Sequence, residues 1–269
     1  MAIIEGMSFE KYKEIDALNN STLSLVSKSL GLIEWSKNCP SDDKEDDAGV
    51  FGNALHCLVL EPDEFASRYI VAPKCDRRTT EGKKIYAEFV ETRGSKILLD
   101  QKIMKQLDLM RGSVMAHPEA RKMIEAAQKE VTFVCEREGH RTKSRHDLFI
   151  SGAMISADLK SIDPGSREFH EAWGAAVEKR RYDVQEAHYR ADVEHETGEP
   201  LKGFFFIAVS KRQTLGRYET HVMRLTNEQR ERGAKARKRD IEKYLKGMAS
   251  GRLPGIEVTA TPAYAMREE

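Results

Sequence analysis

The sequence predicts an α/β fold, a central mixed β-sheet flanked by helices. Three observations carry that prediction. Ile155–Lys160 alternates apolar and polar residues as a half-buried strand does. Upstream, Lys143, Arg145 and Asp147 hold alternate positions, and Ser151-Gly152 supplies turn chemistry between the two runs, so the pair reads as a hairpin. Long stretches of helical character precede and follow that hairpin, and Phe204–Val209 adds a further apolar strand. Helices layered on such a sheet bury both of its faces.

The elements follow in order. Helical signals cover about 8–37, and the acidic run Ser41–Asp47 reads as an exposed loop. Phe51–Leu60 is a buried helix that stops before Pro62, with His56 embedded in it. A histidine so placed serves a core more often than a ligand set. Residues 63–127 read as mostly helical, most clearly over Thr79–Thr92 and Asp100–Met115. Glu130–Glu136 is a strand, the hairpin follows, and a helix covers about 167–196. Strands at 203–210 and 216–225 complete the sheet. Thr226 and Gln229 form a capping-box signature for a final helix over 226–246, which Gly247–Gly255 ends. One domain, 1–269, with a helical segment over about 1–40 and a tail over 247–269, accounts for the whole.

Ser156, Asp158 and Lys160 share one face of their strand, with Ile155, Ala157 and Leu159 toward a core. A turn centred on Ser151-Gly152 places Asp147 opposite Ser156 and diagonal to Asp158, a spacing of roughly 7–8 Å. Two carboxylates and an ammonium in that arrangement suit a divalent-metal phosphodiesterase. Magnesium prefers carboxylate and carbonyl oxygens and keeps waters, one of which can attack. An exposed strand with a local ion pair is the plainer alternative, because 33% of the residues are charged. Gln185 and Tyr189, four apart, share a helical face.

These motifs, in this order, resemble those of exodeoxyribonuclease VIII-like proteins of the PD-(D/E)XK nuclease superfamily. The resemblance rests on Gly52–His56, Lys143-x-Arg145-x-Asp147, Asp158-Leu159-Lys160 and Gln185-x-x-x-Tyr189. The opening Ile15–Leu23 and the strand Phe204–Val209 extend it over roughly residues 12 to 245. It implies that Asp147 and Asp158 are the main metal ligands, that the Leu159 carbonyl is a further oxygen donor, and that Lys160 is the catalytic lysine. His56 is implied as a ligand or its close support, and Gln185 and Tyr189 as contacts to DNA. Arg145 and Lys143 are phosphate contacts or structural pairs. His146 stands where a proline is expected, and its side chain should point away from the carboxylates. The implied activity is Mg²⁺-dependent (Mn²⁺ able to substitute) exonucleolytic hydrolysis of linear double-stranded DNA, 5′→3′, leaving 3′ single strands for phage-type recombination. A single-strand annealing protein and a homo-oligomeric ring are the implied partners. A structure-selective or single-strand endonuclease, or a silent DNA-binding scaffold, remains open.

Bulk properties constrain this reading. Lys and Arg number 44 and Asp and Glu 44, so no global field gathers DNA. Basic residues crowd Lys179, Arg180 and Arg181, which lead into the Gln–Tyr helix as candidate phosphate contacts, and the run Arg230–Arg239. A solvated helix face is the commoner fate of the second run. Cys39, Cys57, Cys75 and Cys135 are scattered, and nothing after Cys135 could complete an iron–sulfur cluster, so none is expected. With no apolar run long enough to span a bilayer and no signal-peptide core near the start, a cytoplasmic location is expected.

Overall fold

The computed structural model describes residues 2–40 and 47–250. The chain begins with β1 (Ala2–Ile4) and three short helices, α1 (Phe9–Glu14), α2 (Asn20–Lys28) and α3 (Gly31–Asn38). Next come α4 (Asp47–Leu60), α5 (Pro62–Arg68), β2 (Tyr69–Val71), α6 (Thr80–Arg93), β3 (Ile97–Leu99), α7 (Gln101–Ala116) and α8 (Pro118–Ala126). The meander β4 (Gln128–Arg137), β5 (His140–Ile150) and β6 (Ile155–Ile162) follows. The chain then forms α9 (Phe169–Arg180), α10 (Tyr182–Thr197), β7 (Gly203–Thr214), β8 (Arg217–Met223) and α11 (Asn227–Ala249).

Six strands form one sheet in the order β1-β4-β5-β6-β7-β8, and β6 runs parallel to β7 while the other neighbours are antiparallel. A parallel pair needs a long crossover, which α9 and α10 provide. The expected α/β class is therefore found. One sheet face sends Leu148, Ala157, Leu159, Ile207 and Val209 against Leu55 and Val59 of α4 and Leu107 and Met110 of α7. The other sends Val131, Phe133, Phe149, Phe204 and Phe206 against Phe169, Trp173 and Val177 of α9 and Val193 of α10. Each fully buried Leu or Phe contributes about 1.5–3 kcal/mol. Ala157 and Leu159 face a core as predicted; Ile155 is only half-buried, beside Gly203.

Helix starts match their sequence signals. Thr79, Asp100 and Thr226 accept hydrogen bonds from the backbone N–H of Gly82, Ile103 and Gln229, and Gln229 returns the bond to complete the capping box. The helical stretch predicted over 8–37 is three separate helices. Asn19 caps the second, and the chain at Leu18 pairs with β5 through Leu18 N–H to the Arg141 carbonyl (2.9 Å) and Lys143 N–H to the Leu18 carbonyl (2.8 Å). That strap covers a stretch of β5 that β6 does not reach.

Four expectations need correction. The β5–β6 turn is a 3₁₀ turn, Ser151–Ala153, closed by Met154 at φ 52°, so Ile150 pairs with Ile155 and Leu148 with Ala157. Continued, that register sets Asp147 opposite Asp158 rather than Ser156. The helix expected over 167–196 is broken at Arg181 (φ 56°, ψ 46°) into α9 and α10. Within 63–127, β2 and β3 form a small parallel pair of three residues each, too short for periodicity to reveal. Finally, α11 runs through Gly247 to Ala249. Gly247 marks contact rather than a stop, since a Cβ there would lie 2.6 Å from Leu30 Cδ1. Of the acidic stretch only Asp47 lies among the described residues, at the start of α4; the tail beyond Ser250 lies outside them.

Candidate active site

Three neighbouring strands bring carboxylates into line. The tight Glu138-Gly139 turn, with Gly139 at φ 74°, sets Lys129 against Leu148 and Val131 against His146, which places Glu130 beside Asp147. The longer β5–β6 turn places Asp158 on the other side of Asp147. The β5–β6 ladder ends at Leu148–Ala157, and beyond it the Asp147 carboxylate accepts the Leu159 N–H at 2.8 Å. From the opposite layer, α4 delivers His56, whose Nδ1 lies 3.3 Å from Asp147 Oδ2 and whose ring also bonds the Leu159 backbone. His56, Glu130 and Asp147 offer donor atoms within 4.8 Å of one another, a group able to hold a metal ion.

Asp158, 2% exposed, has two partners: the Lys160 ammonium at Oδ2 and the Gln185 amide, which donates to Oδ1 at 2.5 Å. Lys160 also lies over the Tyr182 ring, 5.0 Å from its centroid. Tyr182, Gln185 and Tyr189 recur at helical spacing on one face of α10, so that single face touches both Lys160 and Asp158. Tyr189 packs on His146 at 4.5 Å and on Phe204 at 5.9 Å.

Burial sets the protonation states. Burial first, and the neighbouring Asp158 charge next, push the Asp147 carboxyl up to about 8. Burial and Asp147 likewise raise Glu130 to about 7. Burial works against the Lys160 ammonium, but the surrounding acidic groups, Asp158 foremost, hold it above the ordinary lysine range. Burial, then the Lys160 charge, depress His56, which stays neutral at physiological pH. A neutral imidazole is the form that binds metals.

A family model described as a PDDEXK-like domain of unknown function (DUF3799) matches residues 17–257. The chain belongs to this PDDEXK-like family. The PDDEXK-like domain is also similar to solved structures. A provisionally assigned exonuclease from Eubacterium rectale superposes with a TM-score of 0.61 at 16% identity, covering 93% of this chain and 88% of that one. A phage-related exonuclease from Haemophilus somnus 129PT matches at 17% identity over 66% of this chain and 90% of its own, with a TM-score of 0.34, too low to bear on the fold. No curated protein matches at a significant level.

Within the PDDEXK-like domain, the residues singled out in the sequence fall into two groups. Asp147, Asp158, Leu159, Lys160, His56, Gln185 and Tyr189 converge. The basic candidates are more dispersed. Arg145 pairs with Glu130 and donates to the Met7 carbonyl at 2.6 Å, while Lys143 caps the end of α1 through the Tyr12 and Ile15 carbonyls at 2.7 Å each. Arg181 donates to the Leu23 carbonyl at 3.0 Å and pairs with buried Asp240. Lys179 and Arg180 are exposed at the end of α9. In α11, Arg230, Arg232 and Arg239 pair with Glu186, Asp183 and Asp240, and Arg237 donates to His188; Lys235 and Lys238 remain exposed. His146 is fully buried against Ser156 Oγ at 2.7 Å. Glu130 and Tyr182 are the site residues that sequence reasoning missed. The Gly139 turn fixes the register that finds the first, and the helical spacing to Gln185 finds the second. Among the described residues no helix is long and apolar enough to cross a membrane.

Proposed function

We propose that the chain is a metal-dependent deoxyribonuclease that removes nucleotides from the ends of linear double-stranded DNA. The convergence of Glu130, Asp147 and Asp158 with His56 beside the Lys160 ammonium carries this reading. The donor set fits a divalent cation: buried carboxylates that hold one another's protons on are the electrostatic situation such an ion relieves. Asp147, Asp158 and the Leu159 carbonyl would hold it, with Glu130 and His56 adjacent. Mainly oxygen donors favour Mg²⁺, with Mn²⁺ able to substitute. A bound ion of this kind makes water a stronger nucleophile and offsets charge on phosphate oxygens.

The chain's own groups have distinct parts. Lys160 keeps its proton, so it donates hydrogen bonds to a phosphate gaining negative charge rather than acting as a base. Gln185 orients Asp158, and the Tyr182 ring limits where the Lys160 ammonium can sit. Exposed Lys179 and Arg180 are available to phosphates outside the reacting one. Attack from the 5′ end, release of 3′ single strands to an annealing partner, and a ring-shaped oligomer rest on the resemblance described above.

Digestion of linear duplex labelled at either the 5′ or the 3′ end, with Mg²⁺ or EDTA and a closed circle as control, tests the reading. Mg²⁺-dependent release of the 5′ label as mononucleotide with the circle intact is expected. A cut circle would instead make the chain an endonuclease. No cleavage with any divalent metal would make it a DNA-binding module.

A further inference from the structure

A second set of metal-binding side chains lies on the α10 side of the sheet, outside the carboxylate site. Cys135 of β4 meets His195 and Glu196 of the last turn of α10, with donor atoms all within 4.8 Å of one another. Packing of α10 across β4 joins residues sixty positions apart in the sequence. Cys135 is fully buried, the Glu196 side chain is 2% exposed, and His195 opens to solvent. His195 Nδ1 already stands 2.9 Å from Glu196 Oε1. Ligands of a tetrahedral ion at bond lengths of roughly 2.0–2.3 Å stand roughly 3.3–3.8 Å apart. A side-chain adjustment of about an ångström therefore closes the set.

We propose that Cys135, His195 and Glu196 form a site for a divalent cation of the zinc class, separate from the oxygen-rich carboxylate site. The donor chemistry separates the two. Thiolate and imidazole select Zn²⁺ and its analogues, whereas carboxylates and carbonyls suit Mg²⁺. Three protein donors with one of them at the surface leave a fourth position for water. Formation of the sulfur–metal bond releases the thiol proton to solvent. Burial, and then Asp192, hold that proton on the thiol in the absence of an ion. The neighbouring Arg137 fork is occupied by Asp192 at 3.0 Å and so does not claim the Glu196 carboxylate. An ion here would tie the end of α10, which closes at Gly198, to the sheet. The other half of α10 carries Tyr182, Gln185 and Tyr189, so the tie would steady the helix that orients Asp158 and Lys160.

Cobalt gives a readout independent of nuclease activity. Chelator-treated full-length protein is titrated with Co²⁺, and a thiolate-to-cobalt charge-transfer band in the near ultraviolet is followed. The band is expected at one equivalent and should persist in an Asp147→Asn, Asp158→Asn double variant, which lacks the main oxygen ligands. It should vanish in Cys135→Ala, and His195→Ala should weaken the site at least about tenfold. His195 is exposed, so that variant keeps its fold even if the buried cysteine change does not; circular dichroism checks both. Zn²⁺ should displace the band and, in the Asp147→Asn, Asp158→Asn background that lacks the main oxygen ligands, raise the melting temperature, an effect that adding His195→Ala to that background should remove. Absence of the band, its survival in Cys135→Ala, or equal affinity in His195→Ala would each overturn the site, whatever the DNA assay shows.

Discussion

Asp158 divides its two oxygens between a cation and a neutral amide, and this division makes the residue informative to change. Asp158→Asn keeps the volume and removes the charge, so cleavage should disappear while a Ca²⁺-supported gel shift with duplex DNA survives; retained cleavage would refute the metal assignment. Lys160→Ala should lower kcat by roughly 10²–10³ with little change in metal affinity. Tyr182→Leu should lower kcat roughly tenfold at unchanged KM, and Tyr182→Phe, which keeps the ring under the ammonium, should restore it. Asp147 makes a pH prediction for the metal-free chain. Folded, its carboxyl holds a proton up to about 8; unfolded, it ionises near the ordinary value of about 3.9. Between those values the folded state binds more protons, so stability falls as pH rises from about 4 to about 8 and is level above. In EDTA, Asp147→Asn should therefore melt higher than the parent at pH 8 and match it near pH 4; parallel melting curves across that range would refute the shift. At this scale the sequence displayed Asp147, Asp158 and Lys160 through alternation. It concealed Glu130, because a glutamate beside Lys129 in a charged chain stands out only once strand register is known.

Element boundaries were legible wherever a side chain makes the boundary. Thr79, Asp100 and Thr226 cap helices in the structure as their chemistry requires. They were not legible where a distant contact decides. Arg181 adopts a left-handed conformation that costs a non-glycine residue about 1–2 kcal/mol, and the sequence around it is uniformly helical. Its guanidinium explains the break by bonding the Leu23 carbonyl and buried Asp240, which fastens the α9–α10 joint to α2 and α11. Arg181→Ala should destabilise the protein by roughly 3 kcal/mol, because Asp240 stays buried with less neutralisation. Arg239 also contacts Asp240 and keeps the loss from being larger. Denaturant melts of Arg181→Ala, of Asp240→Asn and of the Arg181→Ala, Asp240→Asn pair decide it: the pair should lose less than the two single changes together, and strict additivity would refute the coupling. Gly233 follows the same logic, since a Cβ there would lie 2.2 Å from the Asp183 carbonyl oxygen, so α11 approaches α10 more closely than any other residue permits.

For the molecule as a whole, the balanced charge and the paired arginines of α11 point the same way. Arg230, Arg232, Arg237 and Arg239 are engaged within the fold, so α11 presents chiefly its exposed lysines, Lys235, Lys238 and Lys246, to anything approaching from outside. Mg²⁺ should accordingly raise the melting temperature of the parent at pH 8 and leave the Asp147→Asn, Asp158→Asn variant unmoved, a linkage effect measurable without substrate. The layered α/β class was readable because alternation and helical periodicity each persist over long stretches. The strand pairing was not, because turn length, two residues at Gly139 but four at Ser151–Met154, selects the register. The parallel pairing of β6 with β7 also imposes an order on biosynthesis. Glu130, Asp147, Asp158 and Lys160 all leave the ribosome before the helix that aims them and before the strand that closes the sheet beside them. A nascent chain ending at Ile162 carries every acidic group of the site but neither Gln185 nor Tyr182. Long-range pairing of this kind forms late, so the newborn polypeptide holds its reactive groups unaligned until the crossover has docked.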